Sequence, residues 1–325
     1  MNREAKIYVA GHKGMVGSAI KRRLEADGYG NLVFRSHTEL DLTRQAEVED
    51  FFSSEKPEYV FLSAAKVGGI MANSTFPAEF IYENIMISTN IIHSSYKAGV
   101  KKLLNLGSSC IYPKNAPQPL KEEYLLTNTL EPTNEAYAIA KIAAIKLCRF
   151  YNEQFGTDYL SVMPTNLYGP GDNFDLEKSH VLPALIRRFH EAKEGNMPYV
   201  TLWGTGTPLR EFLYVDDLAD ACVHLMQNFH AQEIGEFVNL GTGSDLPIRD
   251  LAELVAGIVG YEGEIRWDST KPDGMAKKLL DVSRINGMGW KACTTLSQGI
   301  KQTYDWYKTV SYKWGMDGSG SRNAG

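Results

Sequence analysis

Cysteine is scarce in this chain. Its 325 residues include 4, at Cys110, Cys148, Cys222 and Cys293, with no Cys-x-x-Cys pair among them. Scattered single thiols exclude a disulfide framework, so reduced cysteines, a cytoplasmic setting and no metal site are expected. Long apolar runs are also missing: none reaches the ~18 residues that a bilayer-spanning helix needs. No signal-like apolar core precedes the strand-like Lys6-Ile7-Tyr8-Val9-Ala10. Nor is there an excess of positive charge. The net charge of -5 excludes a general binder of nucleic acid or membrane surfaces, although a few local cations can still hold an anionic small molecule. What is present is ordinary for a packed protein, with 43% hydrophobic and 22% charged residues. The length suits one large domain or two unequal ones.

Through the first half, apolar strand patterns alternate with helical ones. Strands are expected over 7–10, 31–34, 59–63, 103–106 and 159–162, and helices over 15–27, 44–53, 77–98 and 134–155. This alternation favours a doubly wound parallel α/β sheet with right-handed crossovers. A loop rich in Pro and Asn runs from Pro113 to Thr133. The second half is less regular, with turn residues crowded at Tyr168-Gly169-Pro170-Gly171 and Gly204-Thr205-Gly206-Thr207-Pro208. Helices are expected there over 181–192, 215–228 and 248–259, and strands over 237–240 and 264–267. No hydrophilic linker separates the halves. The expected organisation is a dinucleotide-binding domain over 1–165, with a return at about 211–240. A smaller C-terminal α/β lobe takes the rest of 166–310, and residues 311–325 form a tail without core-forming residues.

Gly11-His12-Lys13-Gly14-Met15-Val16-Gly17 follows the first strand and opens the first helix. Glycines there allow a tight turn and close approach of backbone to a pyrophosphate, which the helix N-terminus then attracts. The spacing is GxxGxxG rather than GxGxxG, and its place in a βαβ unit is what makes it a Rossmann-type dinucleotide loop. An NAD enzyme places an acid at the end of the second strand to bind the ribose. Here that region reads Val33-Phe34-Arg35-Ser36-His37, with no acid before Glu39. Arg35, His37 and Lys13 can neutralise a 2′-phosphate, which favours NADP(H); the plainer alternative is a solvated basic surface.

Tyr137 and Lys141 are four residues apart on one helix face. Such a pair lets an ammonium lower a phenol's pKa and hold a cofactor ribose, making the tyrosine a proton donor to a carbonyl under reduction. A second copy, Tyr304 and Lys308, reads as an ordinary exposed helix pair. The first differs in context, because Leu106-Gly107-Ser108-Ser109-Cys110 ends the preceding strand and Ser108 can hydrogen-bond the same substrate oxygen. Alanines around Tyr137 leave room for a cofactor.

Glycine loop, strand-end serine and Tyr-x-x-x-Lys, in this order, identify the chain as a member of the short-chain dehydrogenase/reductase family, and its length suits the extended, sugar-nucleotide branch. Within that branch it resembles the GDP-L-fucose synthases. The matching segments include Gly11–Ile20, Ala64-Ala65-Lys66-Val67-Gly68-Gly69-Ile70 and Gly107-Ser108-Ser109-Cys110-Ile111-Tyr112-Pro113-Lys114. Pro132-Thr133-Asn134-Glu135, Pro164-Thr165-Asn166-Leu167-Tyr168-Gly169-Pro170, Trp203-Gly204 and Arg210-Glu211-Phe212-Leu213 match as well. The resemblance runs from about residue 6 to about residue 310. It implies epimerisation of GDP-4-keto-6-deoxy-D-mannose at C3 and C5, then NADPH-dependent reduction at C4. It assigns the epimerising pair to Cys110 and His180, the reduction to Ser108, Tyr137 and Lys141, and substrate contacts to Arg188, Trp203, Arg210 and Asp273. It also implies that Asp41, Leu42, Leu106, Gly107 and His180 contact the cofactor, that Pro164, Thr165, Asn166 and Leu167 line its nicotinamide end, and that the protein is a homodimer. Arg187 beside Arg188 is then a solvated helix residue, and Cys148 and Cys222 are small buried hydrophobes. Lys13 and His37 stand where the family usually has arginine, which implies a weaker preference for NADPH over NADH.

Two other readings compete. A 4-epimerase or 4,6-dehydratase of the same branch would hold NAD+, but dehydratases carry an Asp-Glu pair where this chain has Ser109-Cys110, and 4-epimerases keep the acid on the second strand. A regulator that has lost its chemistry typically lacks the tyrosine or the lysine, and this chain keeps both.

Overall fold

The computed structural model describes residues 1–311 except Glu177, Lys178 and Pro272, so nearly all of the expected tail lies outside the described residues. The first half contains β1 (Ile7–Ala10), α1 (Met15–Ala26), β2 (Leu32–Val33), α2 (Gln45–Glu55), β3 (Tyr59–Leu62), α3 (Ile70–Thr75), α4 (Pro77–Lys97), β4 (Lys102–Leu106), α5 (Glu135–Phe155) and β5 (Tyr159–Pro164). The second half begins with β6 (Asn166–Tyr168), α6 (Val181–Glu194), β7 (Tyr199–Trp203), β8 (Leu209–Tyr214), α7 (Val215–Asn228), α8 (Ala231–Ile234) and β9 (Val238–Leu240). It ends with β10 (Asp245–Pro247), α9 (Ile248–Val259), β11 (Glu264–Asp268), β12 (Lys277–Lys278), α10 (Ser283–Gly287) and α11 (Leu296–Val310).

Strands buried on both faces need no polar alternation, and β1, β4 and β5 are buried along their whole length. They form the middle of a parallel six-stranded sheet ordered β2-β1-β3-β4-β5-β9. The order runs outward in one direction from β1 to β2 and in the other through β3, so a crevice opens at the carboxyl ends where it reverses. Helices α1 and α7 pack on one face, burying Ile20, Leu24, Leu218, Cys222 and Leu225 against the strands. On the other face α2, α4 and α5 cover Tyr8, Val60 and Leu103. Among the described residues no helix is long and apolar enough to cross a membrane.

A second core gathers Phe189, Leu185, Leu251, Val255, Ile300 and Tyr307 from α6, α9 and α11. Each fully buried Leu or Phe of this kind contributes about 1.5–3 kcal/mol. Two small sheets lie beside these helices: β11 runs parallel to β7, and β8 pairs with β6, β10 and β12. Sequence periodicity predicts none of β6, β7, β8, β10 and β12, nor the short α3 ahead of α4. The structure also corrects the reading of Tyr304 as exposed. It is only 7% exposed, because α11 turns that face into the second core, while Lys308 alone points to solvent.

Candidate active site

The glycine loop is shaped first by packing. Gly11 has φ +82, and a Cβ there would lie 2.8 Å from the backbone of Ala64. A Cβ on Gly17 would lie 2.1 Å from the Gly11 carbonyl oxygen. Both glycines therefore let α1 and the end of β3 close around the turn. Gly14 is different: its Cβ would meet only the Gly11 oxygen, at 3.4 Å. It is the N-cap of α1, no side chain caps the helix, and no acid sits in the first turn. The leading amides and the positive dipole end thus face open space, a cradle that suits a pyrophosphate. His12 packs on Phe34 at 5.1 Å, and burial, with Lys13 and Lys21 nearby, disfavours its charged form. Met15 and Val16 rest on the core beneath.

The three candidate cations for a 2′-phosphate are not equivalent. Lys13 and His37 are exposed. Arg35 is committed elsewhere: it donates to the Phe34 carbonyl at 2.7 Å, pairs with Glu55 and lies over the Phe51 ring. Glu39 turns back to accept from the amide and hydroxyl of Ser36, at 2.7 and 2.6 Å. Asp41 accepts from Thr43, and the Leu42 carbonyl accepts from Asn90. His37, Asp41 and Thr43 line an open cavity of about 580 Å³ with Glu79, Tyr82 and Glu83 of α4.

At the end of β4 the backbone turns, and the Ser108 hydroxyl accepts from the Cys110 amide at 3.4 Å. Gly107 is tightly packed against Met163, leaving no room for a side chain. Lys141 of α5 is buried and donates to the Leu106 carbonyl at 2.8 Å, with its ammonium 5.6 Å from the Tyr137 ring centroid. Burial pulls the Lys141 pKa down to about 8. The Tyr137 phenol and the Cys110 thiol are both pushed above their ordinary values, chiefly by burial; Cys110 raises Tyr137 further, whereas Lys278, Ser108 and Lys141 partly relieve Cys110. Motif spacing predicts a lowered phenol at Tyr137, and the structure corrects that expectation. Desolvation outweighs the cations here, so each holds its proton more firmly than in water.

The second half supplies the rest of the mouth. His180 is the N-cap of α6, and its imidazolium is disfavoured by the surrounding protein and by Lys278. Arg187 pairs with Glu191 and donates to the Phe174 carbonyl, whereas Arg188 has no partner among the described residues. Trp203 is 64% exposed, with Lys271 5.5 Å from its ring centroid. Arg210 donates to the carbonyls of Leu209 and Met275. Asp273 is exposed and committed to the neighbouring turn, accepting from the Thr205 amide at 2.9 Å and its hydroxyl at 2.7 Å. Gly204 has φ +82, a backbone conformation that favours glycine, and a Cβ there would also lie 2.3 Å from the Asp273 carboxylate. Pro164 ends β5, and Thr165 and Asn166 tie it to β8 through the Glu211 carbonyl. Leu167 rests on the main core.

One residue escapes sequence reasoning. Lys278 lies in β12, in register with Arg210. Together with Cys110, Glu131 and Asn134 it lines a cavity of about 20 Å³. It faces Cys110, Arg210 and Glu211, and burial lowers its pKa. Locally it is half of a Lys277-Lys278 pair, indistinguishable from a solvated strand edge. Only the strand pairing reveals it.

Residues 7–241 match the NAD dependent epimerase/dehydratase family. GDP-L-fucose synthase 1 of Arabidopsis thaliana is 62% identical over 306 residues, covering 94% of each chain. GDP-L-fucose synthase of Escherichia coli is 56% identical, covering 93% of this chain and 96% of its own. A GDP-L-fucose synthetase from Naegleria fowleri, solved bound to NADP, superimposes with a TM-score of 0.87 at 28% identity, covering 96% of both chains. The glycine cradle, the strand-end serine and the buried Tyr-x-x-x-Lys pair thus sit in a chain that belongs to the NAD dependent epimerase/dehydratase family and, within it, to the GDP-L-fucose synthases.

Proposed function

We propose that this protein converts GDP-4-keto-6-deoxy-D-mannose to GDP-L-fucose, epimerising C3 and C5 and then reducing C4 with NADPH. The observation that carries this reading is the placement of the Cys110 thiol in the field of Tyr137 and Lys141, beside the Ser108 hydroxyl. A simple carbonyl reductase has no use for a titratable thiol at that point. A C4 ketone acidifies the protons on both neighbouring carbons, so one acid/base pair, Cys110 and His180, serves both epimerisations through enolate intermediates. Ser108 then donates a hydrogen bond to O4, and Tyr137 delivers a proton to the same oxygen. Bound NADPH supplies the hydrogen and electron pair that reduce C4. Lys141 orients the ribose and stabilises the tyrosinate left behind.

The glycine cradle fits the cofactor's pyrophosphate, with Lys13 and His37 as the free cations for the 2′-phosphate; Arg35, held by Glu55, contributes from a distance. Arg188 and Arg210 suit the substrate diphosphate, because a guanidinium offers paired, charge-assisted donors. Residues 1–165, with the return at 211–240, form the cofactor domain in this proposal, and most of 166–310 forms the substrate lobe. The chain acts in the cytoplasm as a homodimer. Helices α4 and α5 pack on one another and leave Tyr82 and Phe150 61% and 52% exposed, an apolar surface suited to a second copy. The test is NADPH oxidation by purified protein given GDP-4-keto-6-deoxy-D-mannose, with NADH in parallel. GDP-fucose formed with NADPH supports the reading, and a modest NADH rate fits Lys13 and His37. No oxidation of either cofactor eliminates it in favour of an NAD-holding 4-epimerase.

A further inference from the structure

We propose that Lys278 is a positioning residue for Cys110, its ammonium holding the charge of the thiolate that removes protons from the sugar; this rests on the epimerase reading of Cys110 given above. The geometry is a small enclosed cavity of about 20 Å³ whose walls include Cys110 from the end of β4 and Lys278 from β12. The pairing of β12 with β8 delivers the lysine there, in register with Arg210. Every charged or titratable group around the thiol has another duty or a weaker effect. Lys141 is bonded to the Leu106 carbonyl beneath Tyr137. Tyr137 is pushed upward by burial and by Cys110, so it stays a neutral phenol while the thiol titrates and brings no charge to it. Glu131, on the cavity wall, is neutralised by Lys114 at 3.0 Å. Ser108 offers a hydrogen bond, and Lys278 is the largest of the influences that oppose burial.

Around the lysine the same accounting holds. Arg210 and His180 are like-charged or neutral neighbours. Glu211 is its carboxylate neighbour, but that carboxylate already accepts from the amides of Thr242, Gly243 and Leu280. No hydrogen bond or ion pair occupies the Lys278 ammonium among the described residues. A thiol buried beside an ammonium that nothing else neutralises is a thiolate site in waiting.

The experiment titrates the thiolate by its ultraviolet absorbance in the NADP+-bound protein, as the difference between each protein and its Cys110→Ser counterpart. Lys278→Met should move the inflection upward by about one pH unit, a roughly tenfold smaller thiolate fraction at neutral pH. Exchange of the C3 and C5 protons with deuterated solvent should slow by the same factor, while Lys278→Arg restores both. Urea melts of each variant establish that it is folded, and Lys278→Gln substitutes if the Met variant is not. An unmoved inflection overturns the inference, as does a raised KM for the GDP-sugar with proton exchange unchanged, which would make Lys278 a diphosphate ligand. Wild-type protein that oxidises no NADPH refutes the functional reading itself, whatever the thiol titration shows.

Discussion

The chain carries the same five-residue motif, Tyr-x-x-x-Lys, twice, on α5 and on α11, and the two copies have opposite chemistry. Their local geometry is nearly alike: Lys141 lies 5.6 Å and Lys308 5.0 Å from the ring centroid of its tyrosine. Helical spacing sets that distance and nothing more. Lys141 is buried beneath the sheet end, bonded to a backbone carbonyl, with its pKa pulled down to about 8 by desolvation. Lys308 is exposed, pairs with Asp305 at 2.9 Å, and has its pKa raised by that partner. Tyr137 stands edge-on to Phe80 with its hydroxyl toward the Cys110 side. Tyr304 spends its hydroxyl on His190 inside the second core. A motif becomes a site only when a strand end and an open cleft are built beside it.

Breaking the first copy should have the largest effect. Tyr137→Phe keeps the ring and its contact with Phe80 but removes the hydroxyl proposed as proton donor, so NADPH oxidation should fall ~10²–10⁴-fold with little change in the urea midpoint. Next comes pH. Lys141 is charged below about 8 and neutral above it, so reduction should decline as pH rises through that value. Stability should move the other way. Between about 8 and the ordinary lysine value of 10.5 the unfolded chain binds more protons at this position than the folded one, so urea midpoints gain with pH across that window, and Lys141→Met removes the gain. In the second copy, Tyr304→Phe loses the bond to His190 and should cost about 1 kcal/mol in urea unfolding with kcat unchanged. The smallest effect is expected for Lys308→Ala, with neither turnover nor urea midpoint measurably altered. A large loss of turnover there would erase the distinction between the copies.

Much of the first half was legible because its strands are continuous apolar runs and its helices have a clear apolar stripe. The sequence pattern gives the ends of α7 and α9 as the structure has them, and those of α1, α4 and α5 to within one residue. The cradle, Ser108, Tyr137 and Lys141 follow from local motifs, so they too were visible. The second half hid its strands for identifiable reasons. In β7 the exposed residues Tyr199 and Trp203 are as apolar as the buried Val200 and Leu202, so no alternation showed. β8 follows a Gly- and Pro-rich turn, and β12 is two lysines long. The placement of Lys278 and the bonds of Asp273 to Thr205 depend on pairings between segments about 70 residues apart, which no local window contains. The proton affinity of Tyr137 is missed because motif logic counts nearby charge and leaves out desolvation.

Strand β8 places Arg210 and Glu211 side by side, and neighbouring strand residues face opposite ways. Arg210 is in register with Lys278 and Leu246, and Glu211 with Asp245. The Glu211 carboxylate sits so close to Gly241 that a Cβ there would be 2.3 Å away. A single residue gained or lost in the turn between Gly204 and Pro208 would shift this pairing by one and exchange the two faces. Arg210 would then be driven into the pocket whose amides now hold the Glu211 carboxylate, and on the proposed assignment Glu211 would face the substrate diphosphate. Insertions and deletions in that turn, although they touch no reacting group, should be purged from the lineage as strictly as substitutions of the proton donor itself.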